Sequence, residues 1–265
     1  VSMMQQGNLT VNDSAVLLTS RLGLRSFVPT DDGARALLES YDPYAMLLDG
    51  VDDGVGTAVV STTVQVSSLL REVGAVLASA SAPLDGNTTE GGSFGGSRRA
   101  YLEEEQGEML AAAEQNTLSA LATKLLEGSS TGSSETPDDE AGSGDADGGL
   151  LSGRAFVEEV LSEAREQHTH HPGCANVSLG GEEEQQAIVE LISTTMLTAA
   201  TVITTAVAAG TTNGTNGTNS TDGAALAARV AAAASHVGQT TVVEGLLELL
   251  HGPKEHRAAL LKNLT

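Results

Sequence analysis

The sequence predicts an all-α fold, an antiparallel bundle of five or six long helices joined by long polar loops. Apolar residues recur at three- and four-residue steps over runs of about twenty residues, longer than any ordinary strand. Hydrophobic residues make up 40% of the chain but aromatics only 2%, so the core must be built tightly from Ala, Val and Leu. Clusters of Gly, Asp, Asn, Ser and Thr separate the runs, as turns do. With 265 residues the chain is long enough to bury a real core.

Residues 1 to 30 mix short apolar runs (AVLL, LGL, FVP) with turn residues and read as a lead-in segment holding a short strand. Residues 31 to 265 read as the bundle domain. Thr30, Asp31 and Asp32 cap a short helix, ARALLES, which stops before Tyr41-Asp42-Pro43 because the residue before proline is pushed out of the helical region. A second short helix, YAMLL, starts at Tyr44. The long run VVSTTVQVSSLLREVGAVLAS follows, with Val59, Thr63, Val66, Leu70, Val73 and Leu77 on one face.

Pro83 to Arg98 is a Gly-rich loop. Its Gly91-Gly92-Ser93-Phe94-Gly95 fits the nucleophile pattern G-x-S-x-G, but that pattern needs a buried strand before it, and here a glycosylation signal precedes it. No catalytic residue is expected. A third long helix spans Arg99 to Glu127, with Glu103, Glu104 and Glu105 favoured near its positive end. Glu127 to Gly149 is a low-complexity acidic insert of the disordered type, whose GDADGG lacks the full ligand set of a calcium loop. The fourth helix, GRAFVEEVLSEAREQ, is expected to bury Phe156, Val160 and Leu161.

That helix runs into His168, His170, His171 and Cys174, side chains able to ligate zinc or copper, though their spacing matches no closed zinc site. A polar loop with one buried thiol is the stronger reading. Ile188 to Gly210 is the longest unbroken helical pattern, with Ile188, Ile192, Thr195, Ala199, Val202, Ala206 and Ala209 on one face, and it predicts a central helix gripped by its neighbours. Seven Ser or Thr residues interrupt it and no Lys or Arg anchor follows, which disfavours membrane insertion. Ala224 to His236 and Thr240 to His251 read as two more helices, and Lys254 to Thr265 as a short basic one.

The formal net charge of -22 argues against nucleic acid and anionic membranes as partners, and suits a solvated surface or a cation-rich medium. No cofactor motif is present; calcium or other divalent cations are the class that such a surface could recruit. Of nine asparagines, eight stand in N-x-Ser/Thr: Asn8, Asn12, Asn87, Asn176, Asn213, Asn216, Asn219 and Asn263. With about a fifth of the chain Ser or Thr, chance would supply about two. The excess points to an extracellular or cell-surface chain bearing N-glycans on exposed loops. The chain holds a single cysteine, so no internal disulfide staples it. It opens on Val1-Ser2-Met3-Met4 without a visible signal peptide, as a mature product or a piece of a longer chain does.

Three stretches carry a resemblance. SYDPYAMLLDG (Ser40 to Gly50), VVSTTVQVSSLLREVGAVL (Val59 to Leu77) and AALAARVAAAASHVGQTTVVEGLLELL (Ala224 to Leu250) are together similar to an Ala-rich helical module of large calcium-binding, RTX- or cadherin-type surface proteins. The resemblance covers about residues 20 to 251 and implies a calcium-dependent adhesin or binding module within a larger surface protein. The sequence departs from that pattern in its glycosylation signals and its acidic insert. The residues themselves favour a structural, non-enzymatic glycoprotein that assembles with copies of itself, or with neighbouring modules, into a fibre, appendage or coat.

Overall fold

A computed structural model describes residues 8–40, 42, 54–81, 97–127, 151, 153–170, 179 and 181–212. Among them the chain is all-helical, without a strand. The helices are α1 (Val11–Arg21), α2 (Asp31–Ser40), α3 (Val55–Ser81), α4 (Ser97–Glu127), α5 (Arg154–Thr169) and α6 (Glu182–Thr212), with one 3-10 turn at Leu24–Ser26. The expected helices at YAMLL, Ala224 to His236, Thr240 to His251 and Lys254 to Thr265 lie outside the described residues, as does the acidic insert beyond Glu127.

Helix α1 replaces the short strand expected in the lead-in. Its cause is a capping box: the Asp13 N–H donates to Thr10 Oγ1 at 3.2 Å, and the Thr10 N–H donates back to Asp13 Oδ2 at 3.3 Å. AVLL alone suits a strand, but Ala15 and Thr19, one turn apart, are buried on one face. Gly23, at φ 72, turns the chain in a conformation costly for other residues. Helix α2 then starts as expected, the Gly33 N–H donating to Thr30 Oγ1 at 3.1 Å, and ends at Ser40. Helices α1 and α2 pack on each other as a pair beside the four long helices.

Those four form a ring in which α3 meets α4, α4 meets α5, α5 meets α6 and α6 returns to α3. Their directions alternate. Lys124 and Asn116 of α4 meet Glu163 and His168 of α5 at 4.0 and 2.9 Å, so these two helices run antiparallel. Arg154 near the start of α5 lies 3.8 Å from Glu190, while Arg165 near its end lines a cleft with Glu182 at the start of α6. The early residues Val60 and Val64 of α3 cluster with the late residues Ala199, Ile203 and Val207 of α6. The result is an up-down-up-down bundle, a topology in which sequence neighbours are also packing neighbours.

The centre of the bundle is α3, not α6. Every residue from Glu72 to Ala78 is buried, which happens only when a helix is covered on all sides. Val73 and Leu77 face inward as expected, but Thr63 is exposed and Val59, Val66 and Leu70 are half-buried; Val60, Val64, Leu69 and Val76 take the core. Helix α6 buries one stripe, Ile188, Ile192, Met196, Ala199, Ile203 and Val207, while Val202 turns out to solvent and Thr195 and Ala206 are half-buried. The physical reason is area: facing Ile203 and Val207 inward removes more apolar surface from water than facing Val202 and Ala206. In α5, Val160 and Leu161 are buried as expected, Phe156 only partly, and Val157 and Ala164 join them.

Helices α3 and α4 approach most closely at Gly74, where a Cβ would lie 2.9 Å from Glu114 Cγ and 3.3 Å from its backbone nitrogen. The absent side chain lets the two backbones meet. The main apolar cluster around Leu69, Leu77, Leu121, Val160, Ile188 and Ile192 draws on all four long helices.

Candidate functional site

The glycosylation signals come first. Asn8 precedes α1, whereas Asn12 lies in its first turn rather than in the expected loop; both are exposed. Asn8 adopts φ 50, a left-handed conformation that asparagine tolerates better than most residues. Asn12 Oδ1 accepts a long 3.4 Å hydrogen bond from Arg35 Nη1, which leaves its amide at the surface. Thr10 belongs to the Asn8 signal and is also the N-cap of α1. Asn87, Asn176, Asn213, Asn216, Asn219 and Asn263 lie outside the described residues.

Of the proposed metal candidates, His168 is fully buried near the end of α5 and His170 is exposed just past it. His171 and Cys174 lie outside the described residues. Both nitrogens of the His168 ring are engaged. Asn116 Nδ2 of α4 donates to Nδ1 at 2.9 Å, so the ring proton sits on Nε2 and is donated to Ser81 Oγ of α3 at 3.0 Å. The Ser81 hydroxyl in turn donates to the Leu77 carbonyl at 2.8 Å. A metal drawing on His168 would have to break this buried chain. Among the described residues no group of three or more His, Cys, Asp or Glu is placed to hold an ion.

Ser81, His168 and Asn116 stand in the order of a nucleophile, a base and an orienting amide. The surroundings oppose that chemistry. The ring has no exposure, and the serine proton is committed to a carbonyl. Ser81 and His168 also sit at helix C-termini, whose negative dipole ends would repel a developing oxyanion. The cluster is a hydrogen-bonded lock that ties three helices together at one end of the bundle. Its sequence signal was weak: a histidine at a helix end, grouped with His170, His171 and Cys174 as a metal candidate, and the one asparagine outside a glycosylation signal.

A second buried polar group went unmarked in the sequence. Glu72, in the middle of α3, has no exposure, and neither carboxyl oxygen has a hydrogen-bond partner. The Ser68 hydroxyl, one turn earlier, is likewise buried and unpartnered. Burial pushes the Glu72 carboxyl up to about 9, so it is a neutral acid at neutral pH.

Among the described residues, α5 and the first turns of α6 enclose a cleft of about 140 Å³. Arg154, Glu158, Arg165, Glu182 and Gln185 line it with mixed charge. It is smaller than the roughly 300–1,000 Å³ of sites that enclose organic ligands. Helix α6 also contains a stretch, Glu182–Ala208, long and apolar enough to cross a membrane, although Ile188, Ile192 and Ile203 within it are spent on the core. No protein-family model matches the chain, and no curated protein or solved structure does, so its likeness to the Ala-rich surface module rests on the quoted residues alone.

Proposed function

We propose that this chain is a glycosylated structural module of an extracellular or cell-surface assembly, packing with copies of itself or with neighbouring modules into a fibre, appendage or coat. The observation that carries the reading is how the asparagines sort. Asn8 and Asn12, both in N-x-Ser/Thr, are exposed, whereas Asn116, the one asparagine outside that pattern, turns inward onto His168. A glycan demands an asparagine amide in solvent, and an amide committed to a buried ring demands the opposite. The His168 cluster ties helices together, which suits a part that bears its role through shape and surface.

The test is intact mass after secretion from a eukaryotic host, before and after enzymatic removal of N-glycans. The expected result is excess mass that treatment removes, with Asn8 and Asn12 among the asparagines converted to aspartate. Unmodified asparagines at all eight signals would overturn the proposal.

A further inference from the structure

Two stretches that pack on each other carry no charge. Helix α3 has no ionisable side chain from Val55 to Leu70, and α6 has none from Leu191 to Thr212. Because the two helices run antiparallel, with Val60 and Val64 against Ala199, Ile203 and Val207, these stretches lie side by side. In a chain of net charge -22 this is a surface where two copies can approach without meeting like charge. The sequence shows two separate neutral stretches; only their antiparallel packing makes one surface of them.

The outer side of α6 is also apolar and, among the described residues, exposed. Leu197 and Val202 are 42% and 40% exposed, and Thr194, Thr198, Thr201 and Thr205 are exposed around them. The stretch containing them has mean hydropathy 1.6, yet only 28% of that window is buried. Much of this apolar helix is therefore left partly or fully exposed. The threonines make the face drier than their formula suggests. Thr201 and Thr204 donate their hydroxyls to the Leu197 and Ala200 carbonyls at 2.8 and 2.9 Å, and Thr63 of α3 donates to the Val59 carbonyl at 2.7 Å. A hydroxyl that donates to its own helix offers water only its acceptor lone pairs.

We propose that this charge-free face, the outer side of α6 with the Thr63 side of α3 beside it, is the surface on which a second copy of the chain docks. The inference rests on the assembly reading and names the surface that assembly uses. At 1.5 Å per residue the uncovered part of α6 is about 22 Å long and offers roughly 200–250 Å². With α3 added, the area still falls well short of the roughly 800 Å² per partner of a stable isolated dimer. The contact is therefore weak between two copies and becomes strong only when repeated along an assembly.

The experiment follows self-association of the full chain by sedimentation velocity across concentration, at low and high sodium chloride. Three variants accompany the wild type: Leu197→Glu with Val202→Glu, Thr198→Lys alone, and Leu38→Glu, a control at a 45% exposed leucine on α2. Circular dichroism confirms that each variant is folded. Wild type and control should gain mass with concentration, more so in high salt, which screens the net charge. Both charged-face variants should associate at least about tenfold more weakly. If they associate like wild type, assembly stands but this face is not its surface. A wild type that stays monomeric under every condition overturns both this inference and the assembly reading. Flotation of the wild type, but not the face variants, with neutral phosphatidylcholine vesicles would assign the face to lipid and overturn docking.

Discussion

Glu72 shows what a single buried side chain does to the whole chain's response to pH. Its folded value of about 9 lies far above the ordinary 4.5, so between those limits the folded chain holds a proton that the unfolded chain has released. This contribution is fully favourable below about pH 4.5 and is lost at about 1.4 kcal/mol per unit as the pH climbs toward 9. Denaturant unfolding of wild type and Glu72→Gln at several pH values checks this: the variant should lose that downward slope. Equal slopes would mean that Glu72 is paired or solvated. The sequence hides the residue, since Arg71-Glu72 reads as an ordinary charged pair on a solvated face. The exposure of Asn8 and Asn12 was legible by contrast, because a three-residue signal is local, whereas burial on all sides depends on helices distant in sequence.

Among the elements, the close meeting of α3 and α4 depends on Gly74. In a free helix Gly74→Ala would gain about 1 kcal/mol of propensity. Here the new methyl would press on the Glu114 backbone nitrogen at 3.3 Å, a contact that a side-chain rotation cannot relieve. Overpacking of this kind costs about 1–3 kcal/mol, so it should win, and thermal unfolding of Gly74→Ala should show a lowered midpoint. An unchanged or raised midpoint would show that the helices move apart freely. The long helices were legible because their period persists for many turns. Their rank was not: α6 looked central as the longest unbroken pattern with a face of small residues, yet Thr195, Thr201 and Thr204 donate to its own carbonyls. Helix α1 was missed because the Thr10 and Asp13 pair that starts it lay inside a stretch read as turns.

At the scale of the molecule, the all-helical class followed from composition and period, but the ring did not, since no local pattern says which helices meet. The ring has a consequence for how the chain reaches its fold. The α3–α4, α4–α5 and α5–α6 interfaces each join successive helices, so each can form soon after its second member does. The α3–α6 interface instead joins residues more than a hundred positions apart, such as Val60 and Val207, and bears the full entropy of closing that loop. It should therefore form after the transition state. Ile203→Val should cost about 0.5–1.5 kcal/mol, appearing as faster unfolding with an almost unchanged folding rate in stopped-flow measurements. A slowed folding rate would place the closure earlier. Until that closure, the inner faces of α3 and α6 wait open on the same chain, and the α6 of a neighbouring chain fits the vacancy as well as the chain's own. At high concentration late closure becomes a route to exchange of α6 between copies, a linkage made during folding rather than after it.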